Sequence, residues 1–221
     1  MLMTSVASGR PRLRGVSHQV AFFVSLFSGG ALIVAAPGAQ IRLEVAIYAA
    51  SLSGLLGVSA LLHRRDWPPK VRRQLRRLDH SMIFVLIAGT YTPIAGTVLD
   101  GSLRTAVLLT VWIGALAGVV LTVAWIDAPK WAAALPYVAL GWVAVVALPQ
   151  LLDGLGVAGL SLVALGGGLY TAGAVVYARK RPDPAPTVFG YHEVFHALVI
   201  AAAAAHYAVI AGFVLPAAKT N

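Results

Sequence analysis

Polar residues in this chain gather in short clusters, and between them run apolar stretches long enough to cross a bilayer. A membrane-spanning helix needs about 20 mostly apolar residues. The pattern predicts seven such segments, at residues 18–36, 43–62, 79–98, 103–124, 131–149, 155–178 and 192–215. Pro37-Gly38 marks the first turn, as proline-glycine pairs do. The second and third segments are separated by a basic loop over residues 64–78. Asp127, Pro129 and Lys130 divide the fourth from the fifth, and Asp153-Gly154 reads as a turn dividing the fifth from the sixth. The expected fold is an all-α membrane protein of one domain (residues 18–216), with a cytoplasmic tail (1–17) and a short outer tail (217–221).

Composition agrees. The chain is 59% hydrophobic and 11% charged, with mean hydropathy +0.81, so too few charges remain to cover a water-exposed surface. It contains no cysteine, which excludes disulfides, thiolate metal sites and cysteine nucleophiles. The net charge of +9 does not point to nucleic acid. The basic residues sit in short loops between spans, where the positive-inside rule places them. With the N-terminus inside, the inner side receives Arg10, Arg12, Arg14, Arg64, Arg65, Lys70, Arg72, Arg73, Arg76, Arg77, Lys130, Arg179, Lys180 and Arg181, and the outer side only Arg42, Arg104 and Lys219. That bias predicts a cytoplasmic N-terminus and an outer C-terminus. No small-residue cleavage site follows the first apolar run, which is therefore read as a retained helix. The run Arg72 to Arg77 is expected against anionic headgroups, and Trp67, Trp125 and Trp131 in the inner aromatic belt.

This topology brings chemistry to one depth. The second segment ends at His63 and the third begins at Asp79. The seventh begins with His192 and His196, one turn apart on one helix face. All four fall at the inner end of their helices. Polar side chains in a membrane are costly unless they meet a cavity, a partner or a metal. A single histidine at a helix end is most simply an interfacial hydrogen-bonding group; the convergence of four side chains argues for more. Three imidazoles with an open fourth position make a catalytic zinc environment. Asp79 is then placed to bind the ion, orient a water or accept a proton. Ser59, one turn before His63, is placed to support a ligand or contact a substrate.

The combination of Ser59-Ala60-Leu61-Leu62-His63, Asp79 and His192-Glu193-Val194-Phe195-His196 resembles the hemolysin III and progestin/adipoQ receptor family. That family is part of a larger set of seven-helix membrane hydrolases and receptors that includes the alkaline ceramidases. Gly89-Thr90-Tyr91-Thr92-Pro93 resembles the third-helix signature of the hemolysin III branch. The resemblance implies a zinc ion bound by His63, His192 and His196 with Asp79 and Ser59 beside it, and a lipid amide as substrate class. In one place the chain departs from the family. The first motif carries a glutamate and an asparagine seven and four residues before a histidine; counted from His18, this chain has Pro11 and Arg14 there.

HEVFH also satisfies H-E-x-x-H, in which the glutamate is the general base of a metallopeptidase, and Leu152-Asp153-Gly154 resembles the aspartate motif of intramembrane site-2 proteases. The order is reversed, however, because that family's H-E-x-x-H helix precedes the aspartate. Asp153 is also expected across the bilayer from His192. His80 points about 100° away from Asp79 and is expected to make a loop contact. His206 lies some 15 Å deeper than His196 and is expected to form an interhelical hydrogen bond. Gly114-x-x-x-Gly118 permits close helix approach, within the chain or between copies. Pro93 and Pro136 are expected to bend their helices.

Three functions are consistent with this constellation. The first is a zinc-dependent inner-membrane hydrolase acting on a lipid amide or ester, with membrane lipids as its surroundings and substrate. The second is a receptor-like or membrane-homeostasis protein with structural zinc. The third is a cytolytic protein, although no segment carries the regular polar stripe of a pore. The Ala-, Gly- and Arg-rich composition suggests a bacterial source.

Overall fold

The computed structural model describes residues 11–220. Among them the regular structure is helical, apart from an isolated bridge between Ala185 and Phe189. Helix α1 (Val16–Ala35) starts after Gly15, whose φ of 75° is a left-handed conformation. Helix α2 covers Ala39–Arg64 and α3 covers Pro69–Val98. Proline in the first turn of α3 is a position where its missing N–H costs nothing. Thirty residues give α3 a length of about 45 Å, against about 30 Å of hydrocarbon. The segment expected as a loop over 64–78 is therefore mostly helix. Its basic residues extend α3 beyond the apolar region, because a helix in water needs no apolar run.

Helix α4 (Gly101–Ala124) is followed by α5 (Lys130–Gly141), a 3-10 segment (Trp142–Ala147) and α6 (Leu148–Arg179). The expected turn at Asp153-Gly154 is instead helical. The break falls at Gly156, with φ 64° and ψ 179°, a region essentially confined to glycine. Residues before the break lie beside residues after it: Trp142 Nε1 donates to Thr171 Oγ1 at 3.0 Å, and Lys130 Nζ lies 4.3 Å above the Tyr177 ring. Helix α7 (Tyr191–Val209) continues through a π turn (Ile210–Val214) into α8 (Leu215–Thr220), so the expected outer tail is helical as far as residue 220. Where seven spans were expected, six helical stretches among the described residues are long and apolar enough to cross a membrane, one of them the whole of Lys130–Arg179.

Large apolar side chains such as Phe27, Val34, Ile113, Leu116 and Val157 point outward and are exposed, as a lipid solvent allows. Lipid supplies no hydrophobic drive between helices, so close packing of small residues has to hold them. Gly118 faces Phe84 of α3 and Gly114 faces Leu140 of α5, each with no room for a Cβ; the Gly-x-x-x-Gly pair thus serves the chain's own packing. The Gly89–Pro93 signature ties α3 to its neighbours. Gly89 lies against Ser51 of α2, and Thr92 Oγ1 accepts from Trp112 Nε1 of α4 at 3.2 Å. Tyr91 Oη donates to Gly141 O at 2.8 Å and accepts from Ala144 N at 2.7 Å. Tyr91 thus fastens the backbone where α5 gives way to the 3-10 segment.

Charged groups collect at the two ends of the bundle. At one end Arg73 and Arg76 pair with Asp127, and Arg64 Nε donates to Gln19 Oε1 at 2.9 Å. At the other, Glu44, Arg104 and Lys219 line a shared surface hollow.

Candidate metal centre

Two helices bring the three histidines together. His63 lies in the last turn of α2, and His192 and His196 lie in the first turns of α7. Nitrogens of the three rings all lie within 4.8 Å of one another, and His63 Nε2 and His192 Nε2 are 3.1 Å apart. Two nitrogens bound at ~2.0 Å to one tetrahedral ion are roughly 3.3 Å apart, so the His63–His192 pair already stands near the separation a shared ion requires. Their centroids are 4.5 to 5.3 Å apart with interplanar angles of 58° to 68°. Splayed rings of this kind can aim in-plane lone pairs at a common point. His196 is buried, and His63 and His192 are half-buried. The three form a group able to hold a metal ion.

Asp79, on α3, stands outside this nitrogen cluster. Its carboxyl is a hydrogen-bond partner of the buried Ser59 hydroxyl. Ser59 thus links the helix that carries His63 to the carboxylate. Asp79 and His192 line one end of a cavity of about 130 Å³ between α3, α5, α6 and α7. Its remaining walls are mainly apolar and aromatic, including Ile83, Leu86, Tyr137 and Phe195. Thr90, Tyr91, Gly141, Gly167 and His206 border both this cavity and a second of about 60 Å³. His80, expected at a loop contact, instead lines the cavity and meets the Tyr177 ring edge-on at 6.3 Å. His206 makes the expected interhelical contact, Nε2 to Val163 O at 3.3 Å.

The end of the site beyond the histidines is closed by two stretches of chain. Arg12 N donates to Thr187 O and Leu13 N to Val188 O. Tyr191 N donates to Asp183 Oδ1 at 2.8 Å, capping α7. The ammonium of Lys130 donates to Tyr191 Oη at 2.7 Å and lies over the rings of Tyr177 and Tyr191. Gly15 presses so closely on this region that a Cβ there would lie 2.6 Å from His63 Cβ.

Glu193 explains the departure from the family's first motif. Its carboxylate is 1% exposed and is engaged at both oxygens: Arg14 Nε pairs with Oε1 at 2.8 Å, and Gly190 N donates to Oε2 at 2.9 Å. Arg14, which stands where the family carries asparagine, is the partner of this glutamate. A carboxylate held in this way closes the N-terminus of α7 and has no free oxygen with which to take a proton, unlike the base of a peptidase H-E-x-x-H. The aspartate invoked for that reading is also remote. The glycine after Asp153 packs on Val98, 19 residues and about 28 Å along α3 from Asp79.

Sequence reasoning placed His18 only as the end of a motif. It lies inside the site, buried and stacked on His196 with centroids 3.7 Å apart and an interplanar angle of 10°. The signal was available, since His18, in the first turn of α1, falls at the same end of the bundle as the other histidines.

Comparison with known proteins agrees with these features. Residues 7–207 match the family described as haemolysin-III related. The chain is 32% identical over 174 residues to Hemolysin-3 of Bacillus cereus, covering 78% of this chain and 76% of that protein. It is 32% identical over 161 residues to the Hemolysin-3 homolog of Bacillus subtilis strain 168, covering 73% and 72%. This multi-pass membrane protein therefore belongs to the haemolysin-III-related family.

Proposed function

We propose that the chain is a zinc-dependent hydrolase of a lipid amide or ester, with its site in the inner leaflet. One observation carries this reading: His192 of the three-imidazole cluster lines a mainly apolar cavity, and Asp79, which lines the same cavity, is not part of the cluster. A structural zinc site is closed by four protein ligands, whereas a catalytic one keeps a position free. His63, His192 and His196 would hold the ion, which when bound would supply Lewis-acid chemistry to a carbonyl or a water. Asp79, steadied by Ser59, orients the attacking water and accepts its proton, then returns a proton to the leaving group. The apolar cavity walls hold the lipid chain and keep bulk water out. Zinc is the ion chosen for the test because three imidazoles with an open fourth position are one of its catalytic ligand sets.

Seven crossings fit this reading if Lys130–Arg179 counts as two, reversing at Gly156. Fifty residues of helix measure about 75 Å, more than twice the hydrocarbon thickness of about 30 Å. The excess of basic residues at the histidine end favours a cytoplasmic N-terminus.

The test compares metal content and hydrolysis of N-acyl and ester lipids by purified wild type, His196→Ala and Asp79→Asn. The expected result is about one zinc per chain in wild type, loss of zinc in His196→Ala, and retained zinc without turnover in Asp79→Asn. Wild type without zinc overturns the metal site. Bound zinc with no turnover by any of the three points to a non-enzymatic, receptor-like protein with structural zinc. A second reading is favoured by the name of the Bacillus cereus relative, Hemolysin-3. Under it the chain lyses membranes, and zinc-independent release of haemoglobin from erythrocytes is the outcome that selects it.

A further inference from the structure

We propose that His18 is a positioning residue of the metal centre, its ring fixing the plane in which His196 presents its donor nitrogen. This inference rests on the three-histidine site proposed above. The two rings are nearly parallel, at 10° and 3.7 Å between centroids, and only 2% and 1% of their surfaces are exposed. Imidazole lone pairs lie in the ring plane, so two rings stacked face to face at 3.7 Å hold their lone pairs in separate planes and cannot both point at one ion. The stack therefore argues against His18 as a fourth ligand, and its nitrogens are not part of the nitrogen cluster.

A ligating histidine is ordinarily oriented by a hydrogen bond from its second ring nitrogen to a carboxylate, carbonyl or water. His196 Nδ1 has no such partner among the described residues. What fixes its ring must then be packing, and the face it meets is that of His18. The nitrogens of His18 make no hydrogen bond of full geometry, and their one weaker polar contact is with the His196 backbone. Its flat face is therefore what it contributes.

The N-terminal turn holds His18 in place from both sides. Arg14 pairs with Glu193 on α7, Gly15 abuts His63 on α2, and Gln19 accepts from Arg64. Each helix that supplies a ligand is tied to the turn that supplies the stacking ring.

The test separates the ring from its nitrogens. His18→Phe keeps a flat face without nitrogen, and His18→Leu fills the volume with no flat face. Zinc affinity is measured on purified protein by competition with a chelator, and ligand geometry by the visible absorption of the cobalt-substituted protein. The Leu variant is expected to bind zinc about 10–100-fold more weakly, the range seen on losing an orienting partner, with an altered cobalt spectrum. The Phe variant is expected to stay close to wild type in both. Equal loss in the two variants shows that the nitrogens matter and overturns the proposal, as does an unchanged Leu variant. If wild type binds no zinc, the metal site itself falls and this inference with it; if wild type binds and the variants do not differ, only this inference falls.

Discussion

Glu193 lies between the two histidines of a motif in which a glutamate would usually be read as a base, yet its carboxylate is occupied on one side by a guanidinium and on the other by a helix N-terminus. Glu193→Gln is therefore expected to act on folding and leave the metal in place. The amide still accepts from Gly190, while Arg14 loses its counter-charge. A weakened buried polar contact costs about 1–3 kcal/mol, read as a lower melting temperature in detergent. A zinc-loaded variant of normal stability that has lost all turnover would restore the peptidase-like role. At this scale the three clustered histidines were legible, because each is a polar residue at the basic end of an apolar run. Arg14 was not, because an arginine near the start of a membrane protein looks like any other inside charge. Only the structure gives it a partner 179 residues away.

Helix boundaries were legible where the chain changes composition and misplaced where it changes conformation. α3 starts at Pro69, but the ten residues after it carry lysine and arginines, so hydropathy set the boundary at residue 79. Asp153-Gly154 resembles a turn by dipeptide, yet a helix stops at a glycine whose φ is positive, and that glycine is Gly156. The reversal there decides the parity of the bundle. If Lys130–Arg179 crosses twice, reporters fused to the two termini answer from opposite sides of the membrane, with the C-terminal one outside. Both answering from the same side would mean an even number of crossings and require another path for this run.

Across the whole molecule, hydropathy and loop charge foretold the helical membrane fold and brought the polar cluster to one end. The cavity was not foreseeable, because its walls are ordinary apolar residues that differ from core only in failing to meet. Gly167 tests what that space is for. It borders both cavities, and nothing lies within 4 Å of an added Cβ. Gly167→Phe is expected to fill the space, abolishing lipid hydrolysis while zinc affinity stays unchanged. Undiminished turnover would mean that substrate enters elsewhere.

The stacked pair His18 and His196 has a consequence for synthesis. One ring belongs to the first helix made and the other to the last, so their meeting waits until nearly the whole polypeptide has been threaded into the bilayer. Contacts so distant along the chain are slow to form. Until then the early imidazole must sit unpaired near the headgroups, where hydration is still at hand. The three-histidine cluster is thus completed only at the end of assembly, and a truncated product stalled before its final helix lacks His192 and His196 altogether.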